Sequence, residues 1–378
     1  MTDLVWINDI DERILSFLSS LKKNEKPGRY LPCLSGATTE GKKAALGFSC
    51  FALKIYYMLG QWEKLEKDEQ NEWISYIKSF QNRDSIIQKQ LIKKNAFIDP
   101  ILIKYLESNS QNLSLRTFLR KYLKQRKTRQ FLTNIERVII AETKQALATL
   151  AEVGEYSEVP YNQYPKTPEA VCNYMEKFDW TQPWGAGGQT AALPVFFSLE
   201  AIRTMPASEV KDLKKAASLF FESIVDSETG GYFTGNRPEH GMLINGAMKV
   251  LTALDWLGEP IHYPETLIKT TLEKAPRADG CHLVDAVYVL HRCFSQTHYN
   301  YDKIVKFSLS ILDMIKSHHC KDGGFSYGIR TAQNSYYGLP ISKGLNEGDI
   351  HGTILLTWAL AMILDLTNHN YNWNIIRP

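Results

Sequence analysis

The sequence has no apolar run long enough to cross a membrane. The apolar stretches Gly185–Leu199 and Gly352–Leu364 fall short of the roughly 20 residues a spanning helix needs. It has no linker rich in Pro, Gly and Ser and no long charge block that would cut it into separate units. No two cysteines form a Cys-x-x-Cys pair. The six, Cys33, Cys50, Cys172, Cys281, Cys293 and Cys320, are scattered as reduced, mostly buried thiols would be, not as a disulfide frame. Charge of one sign is also missing: 44 basic against 41 acidic residues leave +3, too even to demand a polyanionic partner, so nucleic-acid binding would need a local patch. The first residues, MTDLVWINDIDERILSFL, carry acids among apolar residues and lack the parts of a signal peptide, which places the protein in the cytoplasm as an expectation.

Across 378 residues, 44% apolar and 22% charged side chains supply ample core for one large domain over 1–378, with 86–135 a candidate helical insertion. Alternating apolar and polar runs are scarce, whereas helical spacing recurs almost everywhere, which predicts an all-α chain. Leu283, Ala286, Val287, Leu290 and Phe294 follow one such stripe; Leu115, Phe118, Leu119, Tyr122 and Leu123 follow another. The chain also repeats itself. GGYFTGNRPEHGMLINGAMKVLTALDWLG from Gly230 and DGGFSYG from Asp322, leading to DIHGTILLTWALAMILDL from Asp349, share a Gly-Gly-aromatic turn, a loop and a His-Gly that opens an apolar helix. A fainter copy, LGFSCFALKIYYMLG, begins at Leu46. Stacked repeats would bring these helix openings to one end of the assembly and leave a ring of polar residues around one mouth.

With these motifs the sequence resembles the α/α-toroid proteins, the group of terpenoid cyclases and protein prenyltransferase β subunits, best over 218–366. Glu239-His240-Gly241, ADGCHLVDAVYVL around Cys281, and DGGF followed by DIHG stand in the order of that family. The resemblance implies an inner and an outer ring of helices around a central cavity. It also implies a zinc ion on Asp279, Cys281 and His351, and His240 facing an isoprenoid diphosphate with Lys274 and Arg277. Asp oxygen, Cys thiolate and His nitrogen with a vacant fourth position make a catalytic zinc set. Prenyltransferases of this group work with a separate subunit, and a partner is left open here. Neither DxDD nor DDxxD occurs, which argues against standard terpene cyclisation.

Other residues point elsewhere. In FDWTQPWGAGGQTAALPVFFSLE, Trp180 and Trp184 flank a Gly-rich turn ahead of Gln189. They would stack on a sugar or an isoprenoid, or else simply wedge two helices. Glu142, Asp285 and Asp349 lie in apolar surroundings, where a carboxyl has its pKa raised and serves as a general acid unless it is a paired or capping group; Asp349, just ahead of an apolar helix, suits capping. His318 and His319 suit the end of a helix. Seven basic residues from Arg116 to Arg129 form a solvated helix face in preference to a nucleic-acid or membrane patch.

The expectation is therefore an α/α toroid whose mouth holds an active site, with His240, Asp285 and Asp349 as catalytic candidates. The leading function is prenyltransferase-like or zinc-assisted chemistry on an isoprenoid diphosphate or another apolar substrate. The runner-up is a carbohydrate-active acid/base enzyme (hydrolase, lyase or epimerase) using Trp180, Trp184, Gln189, Asp285 and Glu142. A helical-repeat interaction protein is the non-enzymatic alternative.

Overall fold

The computed structural model describes residues 5–23, 27–83, 94–111, 132–369 and 371–378. The basic stretch Arg116–Arg129 lies outside them, as does much of the candidate insertion 86–135. The first helices are α1 (Ile10–Leu21), α2 (Leu46–Met58), α3 (Lys67–Lys78), α4 (Pro100–Gln111) and α5 (Asn134–Glu152). Next come α6 (Pro168–Glu176), α7 (Pro183–Thr190), α8 (Ala192–Leu199), α9 (Ala207–Ile224) and α10 (His240–Leu257). The chain ends with α11 (Pro264–Thr271), α12 (Gly280–Phe294), α13 (Tyr301–Lys316) and α14 (Ile350–Leu366). A small hairpin, β1 (Ser335–Tyr336) and β2 (Leu339–Pro340), stands in the long connection before α14.

Helix contacts close into a circuit. α2 packs on α5, α5 on α8, α7 and α8 on α10, α10 on α12, α12 on α14, and α14 back on α2. α2, α8 and α14 of this inner ring are apolar on nearly every face, as helices buried all round must be, whereas α5 and α12 keep a polar side; α14 reads IHGTILLTWALAMILDL. α3, α4, α9, α11 and α13 pack outside them and are amphipathic, like α13 with Ile304, Ile311, Leu312 and Ile315 inward. The expected α/α toroid is thus present. α7 and α8 form one interrupted member: Pro194 offers no N–H to the Thr190 carbonyl, and the helix breaks at Ala191.

The inner helices run the same way. Trp184 at the start of α7 meets His282 at the start of α12, and His351 at the start of α14 stacks on Phe51 of α2. At the other end Asp255 of α10 pairs with Arg292 of α12 at 2.9 Å, and the last residues of the chain cover the floor. There Arg377 N donates to Glu152, the Lys54 ammonium donates to the Arg377 carbonyl, and the Trp256 indole donates to the Pro378 carbonyl.

The Gly-Gly turns lie past the helix ends, not at their caps. Gly230 (φ +70°) and Gly323 (φ +92°) occupy left-handed backbone inside tight loops, and bridges Val225↔Tyr232 and His319↔Phe325 close those loops. The Gly of the second His-Gly has a separate reason, close approach: a Cβ on Gly352 would collide with the backbone at Ser326 and Tyr327. That approach is fastened by Asp349, the N-cap of α14, which is buried. Its Oδ1 accepts from Gly352 N at 2.7 Å, and its Oδ2 accepts from Tyr327 N at 2.7 Å and Gln333 N at 2.9 Å.

Removing that carboxylate leaves three backbone donors unpaired. Asp349→Ala is expected to cost about 3 kcal/mol of stability, since each buried orphan costs on the order of 1–3 kcal/mol. Urea unfolding measures it; a loss below about 1 kcal/mol would show that water satisfies those donors.

Candidate active site

The shared direction of the inner helices puts their N-termini around one mouth. Trp184, half-buried in the first turn of α7, stands edge-on to His282 with ring centroids 5.6 Å apart. Below it α7 is bare: a Cβ added at Gly185 or Gly188 would meet no atom within 4 Å. Helical spacing lines α12 with Cys281, Asp285 and Tyr288 toward the interior, and α10 with Asn245 and Lys249. Lys144 of α5 and His351 of α14 keep solvent contact although protein surrounds them, the condition a concave lumen produces.

Asp285 is the central acid. Only 1% of it is exposed, its Oδ1 lies 4.0 Å from the Lys249 ammonium, and its Oδ2 has no partner. Burial pushes the carboxyl up to about 6, against the opposing pull of Lys249 and His282. Gln189 Oε1 and Asn245 Nδ2 are likewise buried without partners.

His351 is held as a neutral base. As placed, Gln333 Oε1 faces His351 Nδ1 at 2.6 Å, which assigns the hydrogen to Nδ1, and among the described residues no hydrogen bond reaches Nε2. The ring is stacked between Phe51 (4.9 Å) and Tyr327 (5.7 Å). Burial, reinforced by Lys249, pulls its pKa down to about 4. Lys249 therefore acts on both Asp285 and His351.

The remaining candidates separate clearly. Asp349 is a cap and loop clamp, not a catalytic group, because both oxygens are taken by backbone N–H groups. Trp180 is a wedge: it is buried, its indole donates to the Met175 carbonyl, and it packs on Phe220 and Phe221. Glu142 has its pKa pushed up to about 8 by burial and by Asp99, so it is a neutral acid at pH 7. It accepts from the Tyr336 hydroxyl at 2.6 Å, and its other oxygen, like Asp285 Oδ2, is buried without a partner. His240, half-buried, lies on the rim among Glu239, Glu273, Arg237 and Lys274. Lys274 and Arg277 are exposed there, Arg277 3.7 Å from Asp279. His318 ends its helix and bonds the Ser326 carbonyl through Nδ1.

The three residues of the implied zinc set do not fit the ion as placed. Asp279 caps α12 and its Oδ1 takes both His282 N and His282 Nδ1. The Cys281 thiol is pushed up to about 11 by burial and the nearby Asp285, and bonds the Tyr327 hydroxyl, while the Tyr327 ring stacks on His351. Among the described residues no three His, Cys, Asp or Glu side chains gather at metal distance.

Sequence reasoning missed Lys249, Lys144 and Gln333. The lysines were visible as lone charges within apolar inner-helix segments.

No family profile and no curated protein matches the chain. Two solved structures follow its course. One is a polysaccharide lyase, at 12% identity and a TM-score of 0.45, covering 95% of this chain and 96% of its own. The other is titled a possible member of GH105 family from Salmonella enterica subsp. enterica serovar Paratyphi A, at 11% identity and a TM-score of 0.42, covering 96% and 95%. Among the described residues no helix is long and apolar enough to cross a membrane.

The electrostatics of the site can be read without a substrate. Carboxyl carbon NMR should place the Asp285 midpoint near 6. Lys249→Met should raise it further, because losing the cation disfavours the carboxylate. An ordinary value near 4 that Lys249→Met leaves in place contradicts the assignment.

Proposed function

We propose that the protein is a carbohydrate-active acid/base enzyme that cleaves a glycosidic bond of a saccharide held in the mouth of the toroid. The observation that carries this is Asp285, a buried carboxyl with a free oxygen beside Lys249, beneath the half-buried indole of Trp184. A sugar offers an apolar ring face for Trp184 and several hydroxyls for the unpaired atoms of Asp285, Gln189 and Asn245. An isoprenoid chain would need an apolar wall and would leave those groups and Lys144 desolvated without partners.

In this reading protonated Asp285 donates to the leaving glycosidic oxygen as the C–O bond breaks, and the neutral His351 Nε2 takes the proton either of the water that bonds to the anomeric carbon, in hydrolysis, or of the ring carbon at which a C=C bond forms, in elimination. Lys249 limits how far burial raises Asp285 and steadies the carboxylate that remains after transfer. Gln333 holds the imidazole tautomer. No step requires a metal.

Both protonation states coexist only between the two pKa values. Below about 4 His351 gains a proton, and above about 6 Asp285 loses one, so kcat/KM is expected to form a bell centred near pH 5. A panel of polysaccharides and oligosaccharides assayed for new reducing ends tests this, and ultraviolet absorbance of an unsaturated product separates elimination from hydrolysis. Asp285→Asn should lower kcat/KM by on the order of 100-fold or more without loss of fold. Trp184→Ala should act mainly on KM. Absence of cleavage across the panel, together with no saccharide effect on Trp184 fluorescence, rejects the reading.

A further inference from the structure

A second cavity lies at the other end of the toroid, against the last turns of α14, and the chemistry of the mouth makes no use of it. It encloses about 370 Å³, and Asp365, Asn368, His369, Tyr371, Trp373 and Ile375 supply most of its wall. That volume falls within the roughly 300–1,000 Å³ of small-molecule sites. At about 1.5 Å per residue along α14, Asp365 stands about 20 Å from His351, so a ligand here cannot reach the groups of the mouth. The aromatic side of the wall is fixed from behind. Tyr371, Trp373 and Ile375 face the cavity at every second position, as an extended chain presents them. Between them Asn374 ties back to the end of α2: its N donates to the Met58 carbonyl at 2.7 Å and its Nδ2 to the Tyr57 carbonyl at 2.8 Å. Ile376 is buried. The Tyr371 and Trp373 rings stand 5.9 Å apart at 67°. Rings crossed in this way make a corner that takes one sugar ring, its face on the indole and its edge against the phenol.

The polar side is oriented and still has atoms to offer. Asp365 pairs through Oδ2 with His291 Nε2 at 2.8 Å, and its side chain is 65% exposed. Asn368 donates through Nδ2 to the Tyr301 hydroxyl at 2.9 Å, and His369 meets Thr367 Oγ1 through Nδ1 at 2.8 Å. Each side chain is thus held by one atom, and Asp365 Oδ1, Asn368 Oδ1 and His369 Nε2 remain for a ligand. No lysine or arginine lines the cavity. We propose that it is a second, non-catalytic saccharide site that holds one neutral sugar unit. Sugar hydroxyls donate to these acceptors, whereas an apolar ligand would desolvate them without partners. A uronate carboxylate would face Asp365 with no lining cation to offset the repulsion, which sets the preference for a neutral sugar. A polysaccharide anchored here stays concentrated around the enzyme. The inference does not depend on bond cleavage in the lumen.

The test runs the full chain at pH 7 through native gels cast with a β-glucan, a mannan, a xylan or starch, and separately with polygalacturonate. At least one neutral polysaccharide is expected to retard the protein. Trp373→Ala should weaken that affinity by on the order of tenfold, the loss of one stacked ring. It should leave any retardation by polygalacturonate as it was. Asp365→Asn, a change at an exposed side chain, should also weaken binding of the neutral polymer and narrow its advantage over polygalacturonate. Asp285→Asn should abolish glycan cleavage while leaving the retardation in place, and Trp373→Ala should leave kcat on a short oligosaccharide unchanged, so the two readings fail separately. No retardation by any of the neutral polymers overturns the proposal. So does retardation that Trp373→Ala and Asp365→Asn, both of native melting behaviour, leave unchanged.

Discussion

A single buried carboxylate, that of Asp349, decides where the pieces of the mouth lie. It accepts one backbone donor from its own helix and two from the connection 325–333. Those two belong to Tyr327 and Gln333, and the same residues then fix His351: Tyr327 by stacking, Gln333 by taking the hydrogen on Nδ1. The clamp therefore reaches the chemistry without touching a ligand. Burial pushes the Asp349 carboxyl up to about 6 despite the backbone donors that oppose the shift. Nearby, Glu347 holds Ser35 N at 2.7 Å and Gly36 N at 2.6 Å, so the connection before α14 is laced to the loop before α2, where the ring closes.

A lumen walled by apolar helices magnifies the few charges that enter it. Asp285, His351 and Lys144 are each displaced toward the neutral form, and desolvation is the largest cause in all three. Lys249 is common to them, restraining the shift at Asp285 and adding to it at the other two. Between about pH 4 and 6 the site thus holds an acid, Asp285, that keeps its proton and a base, His351, that lacks one. At the opposite end the chain's last residues bond Glu152 and the Trp256 indole.

The fold was legible because its cause is periodic. Apolar residues at helical spacing, and the recurrence of Gly-Gly-aromatic and His-Gly, follow from the need to stack helix pairs, and α10 and α14 begin where those motifs place them. Asp285 was legible as well, as a lone acid in an apolar stripe. The roles of Asp349 and Trp180 were harder, because one carboxylate or indole reads alike whether it meets a substrate or a backbone. Only the donors at Tyr327 and Gln333 and the contact with Met175 decide. The implied zinc set meets a related obstacle: His282 and Tyr327 occupy the groups of Asp279 and Cys281 that a metal would need. Lys249 and Gln333 were invisible because their importance comes from residues distant in the chain.

Nitrogen NMR of the His351 imidazole across a pH titration tests most directly whether this scaffold holds a ready base. The account requires a neutral ring with its hydrogen on Nδ1 that gains a second proton only near pH 4. A ring that titrates near its ordinary value of about 6.5, or carries its hydrogen on Nε2, would contradict it.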